Sequence, residues 1–421
     1  MSSLGPLPLL LLQLAAILII TNLCGALCAR LGQPRVVGEI TSGLLLGPLA
    51  LGHLLPSLSA FVFPPSRLHP LEVISNIGIV LFLFLIGAEL DLTAARQNRG
   101  ASLAITIGSI ALPFALGAAI SPFLLTRFGT QHASHLAFLL FVGIAISITA
   151  LPVLARMIQE RSKKTNAVDP AIASTALIVA AANDLMAWSL LAVTLTLIHG
   201  GQGIDTLPAT TFRLMLLGGY VVIMLFVLRP LFSRIYAATQ SQPAWPWLLG
   251  MVAFAFLSAR ITEYLGVHAF LGAFLAGTCV PSSPLKSALH QRLQQAIQVT
   301  LPIFFALTGL RMQREMFSSN GWSWLAIILL VAVTGKVGGA MLAARATGIA
   351  WKPALQIGIL LNTRGLVELI ALNIGFKEGI FSPALFTLFV LMALVTTGMT
   401  GPCFDLSSRL RVNHPAMPSC N

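Results

Sequence analysis

The chain reads as an all-α polytopic membrane protein of about 13 transmembrane helices, and three observations say so. First, 57% of its residues are hydrophobic and 9% are charged, with a mean hydropathy of +0.89, whereas soluble domains carry about 25% charged residues. Second, the apolar residues gather into runs close to the ~20 that a helix needs to cross a hydrocarbon core. Third, Lys and Arg concentrate on alternate connections between those runs, as they do in proteins threaded back and forth through a bilayer. This composition excludes a soluble globule.

The segments follow in order. Leu7–Leu27 has no basic residue before Arg30, so it lacks the charged start of a secretory signal peptide and reads as a retained span. Val36–Leu51 is short and holds Glu39, Gly43 and Gly47-Pro48. Leu71–Leu90 and Ala101–Leu125 are plain apolar runs, and Leu136–Met157 contains Ser147, Thr149 and Pro152. Ala171–Ile198 is apolar except around Asn183-Asp184. Phe212–Ile235, Trp245–Ile261, Val267–Val280 and Ala296–Leu310 come next, the last two being short. Trp322–Ala344 carries Lys336, Pro353–Gly375 carries Asn362 to Glu368, and Pro383–Cys403 closes the series.

Alternate connections differ in basic residues. One set holds Arg30, Arg35, Arg96, Arg99, Arg156, Arg161, Lys163, Lys164, Arg229, Arg234, Lys286, Arg292, Arg345, Lys352, Arg409 and Arg411. The other holds Arg67, Arg127, Arg213, Arg260, Arg311, Arg314 and Lys377. Basic residues mark the cytoplasmic side, so the N-terminus is expected outside and the C-terminus inside. The net charge of +12 then reflects loops facing anionic lipid, and no nucleic-acid partner is implied. Cys24, Cys28, Cys279, Cys403 and Cys420 form no CxxC pair, and the eight histidines are scattered, so neither a redox nor a zinc site is expected. No cofactor is implied.

With residues 212–237 set aside as a connecting helix, six spans precede it (5–199) and six follow it (244–405). An odd connector puts the two halves in opposite orientations within a single transporter domain, the layout of two inverted six-helix repeats. In such proteins discontinuous helices cross near the midplane and build the binding site. The fifth span of each half holds polar residues with a breaker, Ser147, Thr149 and Pro152 in one and Asn362-Thr363-Arg364-Gly365 in the other. A Pro removes a backbone donor and a Gly loosens a helix. Each break is read either as an ordinary kink or as backbone freed to face an ion.

Asp184 is the sharpest signal. A carboxylate at that depth costs roughly 2.5–3.5 kcal/mol on insertion scales and persists where it binds a proton, a cation or a basic partner. Asn183 lies about 100° round the same helix, so one cavity can meet both. Lys336 is too central to snorkel, and Asp184 is its expected partner, as a fixed or a breakable bridge. Arg364 and Glu368 stand four apart on one face and can neutralise each other; alternatively Arg364 neutralises a negative helix end while Glu368 anchors it. Glu39, Glu89 and Asp91 are expected to anchor at the interface on Arg35, Arg96 or Arg99.

Taken together, Val37-Gly38-Glu39-Ile40, Gly87-Ala88-Glu89-Leu90-Asp91, Ser147 to Arg156, Asn183-Asp184 and Asn362 to Leu369 resemble the monovalent cation:proton antiporters of family 2. The motifs are most similar to those of plant cation/proton exchangers and their bacterial relatives, over residues 5 to 405. The resemblance implies a sodium/proton-antiporter fold of two inverted repeats, a homodimer, and a core of spans four to six and eleven to thirteen that moves against a dimerisation domain. It implies that Asp184 carries Na⁺ or K⁺ and the proton in turn, with Thr149 and Ser147 supplying oxygen. Asn before Asp implies an electroneutral exchange of one cation for one proton, in a cell inner membrane. A long cytoplasmic C-terminal region, common in these relatives, is not expected here, since the chain stops at Asn421. Three other classes stay open: a cation channel, for which no carbonyl-filter signature exists, a sodium-coupled solute symporter, and an intramembrane aspartyl protease. The last needs two facing acids, and the second deep acid, Glu368, has Arg364 beside it.

Overall fold

The structure is a computed structural model describing residues 5–31, 33–89, 99–130, 134–162, 168–199, 207–239, 244–265, 268–281, 284–313 and 321–409. Asp91, Arg96, Lys163, Lys164, Arg314, Arg411 and Cys420 lie outside the described residues. Among the described residues, regular structure is helical apart from one isolated bridge between Gly129 and Phe381.

In chain order, α1 (Pro6–Arg30), α2 (Arg35–Leu46), the short α3 (Leu51–Leu54) and α4 (Pro56–Val62), and α5 (His69–Glu89) come first. They are followed by α6 (Arg99–Phe128), α7 (His135–Ser147), α8 (Leu151–Ser162) and α9 (Pro170–His199). A connector follows: α10 (Leu207–Val222) runs through a π-helical stretch, Ile223–Leu228, into α11 (Arg229–Ala238). The remainder comprises α12 (Ala244–Tyr264), α13 (Ala269–Thr278), α14 (Pro284–Leu310), α15 (Gly321–Ala346), α16 (Trp351–Leu361), α17 (Leu366–Lys377) and α18 (Pro383–Arg409).

Three helix starts follow the chemistry of caps. Asp169 precedes Pro170 and accepts from the Ala171 amide at 2.8 Å. Ser134 accepts from Ala137 at 3.1 Å, and Ser382, ahead of Pro383, from Leu385 at 3.3 Å. A polar side chain there satisfies an orphan amide, and Pro at the first helical position loses no hydrogen bond.

All thirteen apolar segments fall on these helices, but the expected count changes. Among the described residues, eleven helices are long and apolar enough to cross a membrane, or twelve if α16 and α17, bent by 47° at their break, form one span. The missing one is α13, whose 10 residues rise only about 15 Å. The opposite error occurs at α14, which begins at Pro284 rather than Ala296. Lys286 to Gln295 are polar yet helical, because an apolar window finds the lipid-embedded part of a helix and not its ends.

The helices sort into two bundles. One contains α1, α2, α5, α12, α13 and α14; the other contains α6, α7, α8, α9, α15, α16, α17 and α18. Between them the main helix contact is α18 against α2. In lipid, helices associate through close packing and polar contacts, and small residues supply the closeness here. A Cβ on Gly309 would lie 1.8 Å from the Gly43 carbonyl oxygen, joining α14 to α2. One on Gly87 would lie 2.0 Å from the Phe274 oxygen, joining α5 to α13. In the second bundle Gly108 of α6 meets Gly339 of α15 in the same way.

Candidate functional site

Two helices are interrupted in the second bundle, and their interruptions touch. Between α7 and α8, Ile148 to Ala150 leave the helical path; between α16 and α17, Asn362 to Gly365 do so. The Ala150 amide donates to the Thr363 carbonyl at 3.0 Å, and the Thr149 hydroxyl to the Leu361 carbonyl at 2.9 Å. Pro152 is not at the break itself. It is the second residue of α8, where its missing amide costs nothing. A Cβ on Gly365 would approach Val153 Cγ2 to 2.6 Å, so the two restarting helices come together only over a glycine.

A helix that ends inside lipid must satisfy its last carbonyls without water. In α7 each is accounted for. The Ile144 carbonyl accepts from the Ser147 hydroxyl at 3.1 Å. The Ala145 and Ile146 carbonyls accept from the Arg364 guanidinium at 2.7 and 2.6 Å. The Ser147 carbonyl accepts from Lys336. Two buried cations therefore sit on the negative end of α7, as helix polarity favours. Arg364 also contacts Glu368 at 3.1 Å, and Thr397 brackets the Arg364 backbone, accepting from its amide at 3.0 Å and donating to its carbonyl at 2.8 Å.

Asn183 and Asp184 project from α9 toward this crossover. The Asn183 amide donates to the Ser109 hydroxyl at 3.0 Å and to the Thr149 hydroxyl at 3.2 Å. Asp184 is 1% exposed, and neither of its carboxylate oxygens has a hydrogen-bond partner. The Leu151 amide at the start of α8 and the Lys336 ammonium both act on it without a well-formed hydrogen bond. An ionised carboxyl in such a place is costly unless neutralised, so its natural occupants are a proton or a cation. The Asn362 side-chain oxygen at the neighbouring break is likewise buried without a partner.

Several sequence expectations need correction. Lys336 does not bond to Asp184: its ammonium donates to the Ser109 carbonyl at 2.9 Å and to the Ser147 carbonyl. The close Gly108–Gly339 crossing brings the lysine's helix near enough to reach backbone instead. The Ser147 hydroxyl donates to the Ile144 carbonyl at 3.1 Å, which leaves its oxygen lone pairs for an ion. Glu89 pairs with His290, and Glu39 faces Arg156 as well as Arg35. Sequence reasoning missed Ser109 and Thr397. Ser109 had a signal, since Gly108-Ser109 opposite Lys336 and Gly338-Gly339 is a small-residue match that allows tight crossing. Thr397 had none. Among the described residues no group of three or more His, Cys, Asp or Glu is arranged to hold a metal ion.

A crossover of two broken helices beside an unpartnered carboxylate is the arrangement against which known proteins can be compared. The transmembrane sodium/hydrogen exchanger family model matches residues 15–405. The chain belongs to the sodium/hydrogen exchanger family. Within it, the chain is 36% identical over 402 residues to Cation/H(+) antiporter 17 of Arabidopsis thaliana, covering 94% of this chain and 48% of that protein. It thus spans about half the length of the plant relative. It is 35% identical over 402 residues to the Na(+)/H(+) antiporter NhaS4 of Synechocystis sp., covering 93% of this chain and 96% of that one. The solved sodium proton antiporter MjNhaP1 of Methanocaldococcus jannaschii shares the fold, with a TM-score of 0.72 at 14% identity over 96% of this chain and 99% of that one. This exchanger-family member is therefore an integral membrane protein of many spans.

Proposed function

We propose that the protein exchanges a monovalent alkali cation, Na⁺ or K⁺, for H⁺ by alternating access at Asp184. The observation that carries this reading is the pair of unpartnered, buried Asp184 oxygens beside the contact between two helix breaks. A proton on the carboxyl or a cation against it each removes the cost of an isolated charge. They are therefore alternative occupants. Thr149, Asn183 and the Asn362 oxygen lie at the same crossover and supply the oxygens that a hard cation needs. Lys336 and Arg364 already neutralise the end of α7, and Glu368 has Arg364 on one of its oxygens, so Asp184, with both oxygens free of hydrogen bonds, is the group best placed to change occupant.

Packing supports two repeats, residues 5–199 and 244–405, joined through 212–237. α1 packs on α2 as α12 packs on α13, and α5 on α13 as α14 on α2. Likewise α6 packs on α7 and α9 as α15 packs on α16 and α18. The repeats interleave, each giving half of both bundles. Movement of one bundle against the other would expose the crossover to either side in turn. The present conformation, with Asp184 sealed, is the occluded one. We further propose an electroneutral cycle of one cation for one proton, a homodimer, and an inner-membrane orientation with the N-terminus outside and the C-terminus cytoplasmic.

The test is dequenching of a pH-sensitive dye in proteoliposomes titrated with Na⁺, K⁺ and Li⁺. The parent protein moves protons in response to at least one of them, and Asp184→Asn, which expresses and purifies like the parent, moves none. Exchange retained by Asp184→Asn contradicts the assignment. Solute uptake without proton movement would point to a symporter.

A further inference from the structure

Away from the crossover, a second polar cluster spans the boundary between the two bundles. Arg311, just past the end of α14, donates to Glu72 on α5 at 2.5 Å and to Asn373 on α17 at 2.5 Å. The Asn373 amide donates in turn to Thr308 on α14 at 3.1 Å. A third bond crosses nearby, from the Gln313 amide to the Thr387 hydroxyl of α18 at 3.0 Å. Glu72, Arg311, Thr308 and Gln313 belong to the first bundle or its edge, and Asn373 and Thr387 to the second. The cluster therefore ties together two bodies whose helix contacts are otherwise sparse.

Its position gives the tie a consequence. A cavity of about 20 Å³, enough for one or two waters, is lined there by Glu72, Ser75, His268, Arg311, Asn373 and Lys377, among others. The Nδ1 atom of His268 is buried without a partner. Asn373 is also about 10 Å along α17 from Leu366, the residue at which that helix restarts after the crossover. Cavity and crossover thus share one helix. Arg311 and Glu72 remain partly exposed, so water can replace their bonds when they part.

We propose that Arg311, Glu72, Asn373 and Thr308 form a polar latch that closes the path to the crossover from this end. The latch rests on the exchange proposed above, since parting it is what admits the cation from this side. While it holds, the guanidinium blocks the cavity with a fixed positive charge. When it parts, α17 moves away from α14, and Glu72 is freed to attract a cation into the widened mouth.

Two arms test this. The Asn373 and Thr308 side chains meet at 3.1 Å, so in a chain whose five native cysteines are replaced by Ala the pair Asn373→Cys with Thr308→Cys can be bridged by a short bis-methanethiosulfonate. Bridging should abolish exchange in proteoliposomes, and reduction should restore it, while the cysteine-free parent is indifferent to both. Full exchange by the cross-linked protein, or failure of the pair to cross-link, overturns the latch. The second arm needs no transport: in the cysteine-free background, Asn373→Ala should raise the rate at which a charged maleimide labels Ser75→Cys in detergent by about tenfold. An unchanged rate overturns the proposal. If the parent exchanges no alkali cation for H⁺, the transport reading fails, and the labelling arm still decides the latch.

Discussion

Asp184, Lys336, Arg364 and Glu368 are equally sealed, with at most 1% exposure, yet of the four only Asp184 makes no well-formed hydrogen bond through its side chain. The sequence made all four visible, because an ionisable residue inside an apolar run is conspicuous. It did not make their pairing visible. Charge alone suggested that Lys336 meets Asp184, but the Ser147 carbonyl at the end of α7 and the Ser109 carbonyl of α6, which Pro113 leaves without its helical donor, take the lysine instead. A structural role for Lys336 has a measurable consequence. Lys336→Ala leaves the Ser109 and Ser147 carbonyls buried without donors, at roughly 1–3 kcal/mol each, so thermal unfolding in detergent should shift well below the parent, and an unshifted midpoint contradicts this. Asn183 is bonded to Ser109 and Thr149, and its neutral amide adds no charge to the site. Asn183→Asp should therefore make exchange respond to an imposed membrane potential; indifference to potential argues against the proposed electroneutral cycle.

Among the elements, the broken helices were legible as polar interruptions with Pro or Gly, but where the chain leaves the helix was not. Pro152 starts α8 and does not interrupt α7, because Pro is tolerated in a first turn. The limits of α13 and α14 were misjudged for a related reason, since hydropathy measures depth in lipid and not helical hydrogen bonding. Close glycine crossings hold the first bundle together, and they separate two kinds of glycine. Gly309→Ala drives a methyl group into the Gly43 carbonyl, an overpacking of about 1–3 kcal/mol. Gly398 has no atom within 4 Å of its would-be Cβ, so Gly398→Ala in α18 should leave stability unchanged or raise it by up to about 1 kcal/mol. Unfolding measured on both variants side by side checks the claim, and equal loss of stability in the two would refute it.

For the whole molecule, thirteen apolar segments, an alternating basic bias and an odd connector are enough to imply a two-part membrane transporter. The division into bundles was not readable in that way. It follows from contacts between segments far apart in sequence, α5 with α13 and α6 with α15, whose small residues look alike whether they face a helix or lipid. The account as a whole claims that one carboxyl serves both ions. Protons and the alkali cation must then compete, which can be measured as the apparent KM for the cation at several pH values in proteoliposomes. With a single shared site, KM rises as pH falls, approaching about tenfold per pH unit once the protonated form dominates, while the maximal rate at saturating cation is held. A KM that stays constant across that range, with exchange still active, would mean that the two ions bind at separate groups and that Asp184 is not the point of exchange.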